Sequence, residues 1–290
     1  MRITLMASES GGEHETLSGY ISHHLHHLSS KPQHGLFDLS VVHWDTLAFS
    51  LLCAAIVLLV LRSAASKATA GVPGRFQAGV EMLVEMVEEQ AKALVHGKLT
   101  YVAPLALTVF CWVAAMNAID LIPVDLFPRI AGAAHIPYLR PLPTADLNGS
   151  LGMALGVFGL VIYYNLKIKG VGGYVHQLLT APFGMNKITL NPLSWIGALL
   201  LAIVNVGMNI VEYVSNTASH GMRLYGNMYA GELIFFLIAG LGGSMTAVGI
   251  GLHLFTGTLW AIFHILIVLL QAFIFMMMTL VYIGQAHEHH

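Results

Sequence analysis

The chain has 290 residues, 56% of them hydrophobic and only 10% charged, with a mean hydropathy of +0.72. A soluble domain of this size needs far more charge to cover its surface, so the composition points to a polytopic membrane protein solvated largely by lipid. The net charge of −2 argues against nucleic acid or any other polyanionic partner.

Residues 1–40 hold six of the 16 histidines: His14, His23, His24, His26, His27 and His34. The block has no cysteine and no structural-zinc spacing. Its Ser and Gly content suggests a loose, solvated segment rather than a metal site. His287, His289 and His290 read as a solvated tail, and no metal or cofactor is expected. No signal peptide is visible, so the first span is expected to target the chain. Cys53 and Cys111 lie inside apolar runs and read as small buried hydrophobes.

The first apolar run, Thr46–Leu61, approaches the thickness of a hydrocarbon core once its flanks contribute. The stretch 75–98 then sets Glu81, Glu85, Glu88 and Glu89 among Met82, Val84, Met86 and Val87, the pattern of an amphipathic surface helix. A second apolar run, Leu99–Ile119, leads into a loop of about 120–146 rich in proline and acid, with Asp120, Asp125 and Asp146. A third run covers Leu147–Leu166.

Of the 13 Lys and Arg residues, five lie in 62–98 and three in 167–187. The positive-inside rule therefore makes loops 62–98 and 167–191 cytoplasmic. The N-terminal segment 1–40 and loop 120–146 then face the periplasmic side, and the C-terminus is cytoplasmic. Residues 41–290 form a single membrane domain.

The last third is too long for upright spans. Leu193–Ala239 would be about 70 Å long as one helix, and Gly249–Ile283 roughly 52 Å, against a core of about 30 Å. Gly240, Gly242 and Gly243 mark a turn between them. The expected architecture is all-α: about five membrane helices plus the amphipathic surface helix. The last two are long, strongly tilted and paired as a hairpin. Four ordinary spans with short loops are the alternative, but neither segment has an evident polar interruption.

Ionisable groups inside apolar spans are costly and mark function by default. Here they are Glu212, His220, Arg223, Glu232, His253 and His264. Arg223 stays charged at any relevant pH, so its natural role is electrostatic. At about 100° per residue, Asn227 lies near the face of Arg223. Glu212 shares that face about 16 Å toward the N-terminal end. Glu232 points almost oppositely, about 13 Å the other way. His264 and Gln271 share one face of the last helix. One fixed positive charge with an acid on either side along the axis suits two aqueous paths that approach it from opposite ends without joining. Two readings stay open for several of these residues. Glu212 either lines a path or snorkels to an interface. His220 and His264 either line a path or pack. Asn227 and Gln271 either line a path or bond helix to helix. His253, near the turn, reads as structural.

The run Arg223-Leu-Tyr-Gly-Asn-Met-Tyr-Ala-Gly-Glu232, followed by Ala261-Ile-Phe-His-Ile-Leu-Ile-Val-Leu-Leu-Gln-Ala-Phe-Ile-Phe275, resembles the a subunits of bacterial F-type ATP synthases. The likeness runs from about residue 40 to the end and includes Asn117-Ala-Ile-Asp-Leu-Ile-Pro-Val-Asp125 and Pro143-Thr-Ala-Asp-Leu-Asn148. The resemblance implies a non-catalytic stator subunit of the inner membrane. Its hairpin would stand against a rotor ring of c subunits, each with a buried carboxylate, beside peripheral-stalk b subunits and the rest of the complex. It implies that Arg223 faces the ring. Glu232, His264, Gln271 and Asn227 would line a periplasmic half-channel, with Asp120, Asp125 and Asp146 near its mouth. Relatives often carry an acid upstream of the arginine on the cytoplasmic path, at a spacing that varies, which leaves Glu212 one candidate for it. His220 and Asn148 are further path-lining candidates. No G-x-x-x-x-G-K-[ST] loop is present, so ATP chemistry is expected of partners. A secondary transporter would want an internal repeat, and none is visible. A mere scaffold gives no reason for these buried charges, and a metal transporter would want ligand clusters within its spans.

Overall fold

The computed structural model describes residues 28–31, 41–69, 71–95, 100–123, 126–133, 139–184, 192–242 and 246–287. Seven α-helices follow in chain order: α1 (Trp44–Ser66), α2 (Arg75–Leu94), α3 (Val102–Ala118), α4 (Leu126–Ala133), α5 (Leu147–Thr180), α6 (Pro192–Gly242) and α7 (Ala247–His287). Short 3₁₀ turns lie at Ile119–Leu121 and Pro143–Ala145. Five of the helices, α1, α3, α5, α6 and α7, are long and apolar enough to cross a membrane.

The core is built where stripes of small and branched side chains meet. On α3, Val102, Ala106, Phe110, Val113 and Met116 recur at helical spacing and are buried. On α7, Ala272, Phe275, Met276, Leu280 and Ile283 form the facing stripe. Leu224 and Met228 of α6 close the same cluster. Such a stripe packs one helix on another, while the remaining faces stay apolar for lipid or a partner. The amphipathic helix α2 buries Val87 and Ala91 in the same core. Its Glu81, Glu85 and Glu89 stay exposed, and Glu88 bonds Lys92 at 2.8 Å.

Helices α6 and α7 pack as an antiparallel hairpin, as the sequence suggests, with Asn227 bonded to Gln271 and His253 to Ile238. At 51 residues, α6 is roughly 77 Å long. Its outer face is uncovered over most of its length: Leu200, Ile203, Met208, Val211 and Val214 are all exposed.

Three details differ from the sequence expectation. The third span does not stop at Leu166. The helix continues to Thr180 and bends at Gly170, whose φ of 70° only glycine takes without cost. The loop 120–146 is not irregular throughout, because Leu126–Ala133 is helical. The N-terminal segment is partly tied down: Ser30 N–H donates to Val42 O at 2.9 Å, and Trp44 N–H donates to Leu28 O at 3.0 Å. The histidines of 1–27 and 34 lie outside the described residues.

The turn after α5 is held by two buried amides of α6. Asn205 Nδ2 donates to Leu179 O (2.8 Å) and Gly184 O (3.0 Å), and its Oδ1 accepts from Phe183 N–H (3.2 Å). Asn209 Nδ2 donates to Ala181 O at 2.7 Å. Replacing Asn205 by Leu removes the side-chain partner of three backbone groups in a half-buried turn. We expect a loss of about 1–3 kcal/mol, measured as a lower thermal midpoint of the assembled protein in detergent.

Candidate functional site: two polar clusters on one helix pair

Arg223 lies near the middle of the apolar hairpin and is half-buried. Among the described residues no carboxylate lies within ion-pair distance of it. One turn further on, Asn227 Nδ2 donates to Gln271 Oε1 at 2.7 Å, joining α6 to α7. Polar clusters stand on either side of this level.

Toward the turn end, Glu232 is 6% exposed and Arg140 is 4% exposed. Arg140 donates to both carboxylate oxygens, Nε to Oε1 at 3.3 Å and Nη2 to Oε2, a bidentate fork. Arg140 Cζ also lies over the Tyr229 ring, 5.6 Å from its centroid. Burial alone would push the guanidinium's pKa down. The Glu232 charge and hydrogen bond, with Asp146 behind, outweigh burial and hold it above its ordinary value.

Arg140 is held in turn from the backbone. Its N–H donates to Asp45 Oδ2 at 3.3 Å, and the same oxygen accepts from Leu28 N–H at 3.0 Å. Asp146 caps α5 by accepting from Asn148 N–H. Its other oxygen accepts from His43 Nδ1 and Thr46 Oγ1, each at 2.8 Å. The N-terminal segment, α1, the loop before α5 and α6 are thus locked together by buried charge.

Beside this cluster, His264 Nε2 lies 2.6 Å from Asp120 Oδ2. The distance is that of an ion pair, but the alignment falls outside hydrogen-bond geometry and leaves these atoms unsatisfied in that sense. The His264 ring packs edge-on to Phe235. A side chain on Gly231 would fall within that ring, so only glycine lets α6 pass so close. His253 instead ties the hairpin, its Nδ1 2.8 Å from Ile238 O.

At the other end of the hairpin, Glu212 is exposed and His220 is buried. With Tyr213, Asn216, Thr217, Tyr282 and Gln285 they line a cavity of about 30 Å³.

The structure therefore brings together Glu232, Asp146 and, beside them, Asp120 with His264. It joins Asn227 to Gln271, and Glu212 to His220. Asp125 lies outside the described residues. Asn148 stands apart from Glu232: it borders an apolar groove between α1, α3 and α5, and its backbone serves the Asp146 cap. Sequence reasoning passed over Arg140, His43, Asp45 and Thr46. A signal for Arg140 was present, because a carboxylate as deep as Glu232 requires a cation, and Arg140 is one of the few outside the basic loops.

A polytopic helical membrane protein with two separate polar clusters flanking one intramembrane arginine is a transmembrane ion-path subunit in form. Residues 47–284 match the family model for the ATP synthase A chain. The chain is 54% identical over 286 residues to the ATP synthase subunit a of Verminephrobacter eiseniae (strain EF01-2), covering 95% of this chain and 97% of the relative. It is 46% identical over 279 residues to that of Aeromonas salmonicida (strain A449), covering 96% and 98%. The chain belongs to the ATP synthase A chain family, the non-catalytic proton-channel subunits of the F-type ATP synthase membrane sector.

Removing one partner of a buried ion pair leaves an uncompensated charge and costs about 3–5 kcal/mol. Arg140→Ala should therefore destabilise the complex strongly. Arg140→Ala combined with Glu232→Gln should recover a large part of that loss, as a double-mutant cycle on thermal midpoints would read directly.

Proposed function

We propose that this chain conducts protons through two offset half-channels, and that Arg223 separates them. The observation that carries this is the isolation of Arg223: an intramembrane guanidinium with no carboxylate within ion-pair distance among the described residues. A charge there costs at least about 2.5–3.5 kcal/mol on insertion scales. A carboxylate arriving from outside the chain offsets that cost. The uncovered faces of α6 and α7 offer a surface for the c-subunit ring that would carry it, and b subunits of the peripheral stalk complete the set of neighbours.

In this reading the Glu232 cluster is the periplasmic half. A proton passes by Asp120, His264 and Glu232, with Asn227 and Gln271 nearest the ring, and neutralises a ring carboxylate. The neutral site moves into lipid, because an uncharged acid crosses hydrocarbon at far lower cost than an ionised one. After nearly a full turn it meets the second half, lined by Glu212 and His220, and loses its proton there. Arg223 favours the ionised carboxylate by its nearby charge and blocks direct passage between the halves. The driving force is about 2.3 kcal/mol per charge per 100 mV, so several protons are needed per ATP made by the partner subunits. The N-terminus and loop 120–146 then face the periplasm. Loops 62–98 and 167–191 and the C-terminus face the cytoplasm of a bacterial inner membrane.

Arg223→Ala should abolish coupled ATP synthesis and ATP-driven proton pumping in membrane vesicles. Normal coupled synthesis in an assembled Arg223→Ala complex would sink the proposal. Glu232→Gln should slow proton transport. Substitution of His264 should cost far more than substitution of His253, whose bond only ties the hairpin. Equal tolerance at the two histidines in the same pumping assay would show the first path to be misplaced.

A further inference from the structure

The second half of the reading above rests on two residues whose chemistry is unassigned. Glu212 is exposed and borders the cavity described above. His220 is 2% exposed, and its Nε2 is buried without a hydrogen-bond partner. A buried polar atom left unsatisfied costs roughly 1–3 kcal/mol and calls for a reason.

The surroundings supply one. The His220 ring stacks on Phe275 with centroids 3.9 Å apart and meets Tyr282 edge-on at 6.0 Å. Two aromatic rings of α7 thus fix its orientation. It is three residues before Arg223, on a neighbouring part of the same helix face. It also borders the cavity of about 30 Å³ that Glu212, Tyr213, Tyr282 and Gln285 share. A cavity needs roughly 10–15 Å³ to hold a water molecule, so about two waters fit there. The wall contributed by α5 is apolar, made of Ala154, Val157, Phe158 and Val161. The imidazole of His220 and the carboxylate of Glu212 therefore face the same cavity water.

We propose that His220 is the proton acceptor of the second path, taking the proton from the arriving carboxylic acid and passing it through cavity water to Glu212. This rests on the proton-translocating reading above. In the first step the O–H bond of the ring carboxylic acid breaks and an N–H bond forms on the imidazole. The carboxylate left behind pairs with Arg223. The imidazolium then gives one ring proton to a cavity water, which passes a proton on to the Glu212 carboxylate and so to solvent. No electrons change hands. The fixed charge of Arg223 on one side and the carboxylate of Glu212 on the other give the proton a downhill direction.

The test uses the complete membrane sector in proteoliposomes, with passive proton flow driven by a potassium diffusion potential and assembly checked by co-purification of the ring. His220→Ala should slow flow on the order of 10²-fold, the effect of losing a positioned proton acceptor. Adding imidazole to the bath should restore at least half of it, by filling the space the side chain left. His220→Phe keeps the ring stack but carries no proton, so it should be equally slow and should not respond to imidazole. Should His220→Ala not assemble, His220→Asn takes its place. A wild-type rate in either variant overturns the proposal, as does a slow Ala variant that imidazole leaves unchanged, which would mark His220 as a packing residue only. Failure of the functional reading itself looks different: the wild-type sector would then show no ring-dependent flow, or Arg223→Ala would leave it unaltered.

Discussion

A guanidinium in hydrocarbon needs a counter-charge or water, and the arrangement around Arg223 follows from that need. The chain has other intramembrane acids, yet it spends its deepest one, Glu232, on Arg140. It keeps Glu212 on an exposed face nearer the end of the helix. Among the described residues no carboxylate pairs with Arg223. On the reading proposed above, its counter-charge comes from outside the chain, across the uncovered faces of α6 and α7.

The two ends of the hairpin solve the problem of buried charge differently. At the turn end, Arg140, Glu232, Asp146, Asp45 and His43 form a closed network in which nearly every lone pair has a donor. Such a network is rigid because each broken contact strands another charge. It fixes the loop before α5 and the start of α1 against α6. At the other end, two protonatable groups share a small cavity, and one nitrogen is left without a partner.

The membrane helices were legible because hydrophobicity sets their existence and length, and both quantities survive without tertiary context. The long final pair could be recognised for the same reason: the apolar stretch was too long for one upright span. Their ends, the continuation of α5 beyond Lys167 and the short helix at Leu126–Ala133 were not legible. Lys167 and Lys169 can sit on a helix that has left the apolar zone, and charge alone does not end a helix. Arg223, Glu232 and His264 were visible as charges in the wrong solvent. Arg140, His43 and Asp45 were hidden by the opposite logic, since a charge in a loop looks solvated until another element buries it. The separation of 92 positions between Arg140 and Glu232 leaves no local trace in one sequence. Asp146 was visible only as an acid of the loop; its cap on α5 and its grip on His43 and Thr46 belong to the folded structure.

Keeping two paths apart needs more than a repelling charge. A chain of waters that bypassed Arg223 would carry protons straight between the clusters, whatever the arginine did. Between the levels of Glu232 and His220 the interior holds Leu224, Met228 and Met276, all fully buried, and beside them Asn227 Nδ2 donates to Gln271 Oε1. Side chains packed to native density leave no room for water, and a void lined by such groups stays dry. On the reading proposed above the barrier has two parts: these packed side chains fill the space between the clusters, and Arg223 guards the surface past which the partner moves.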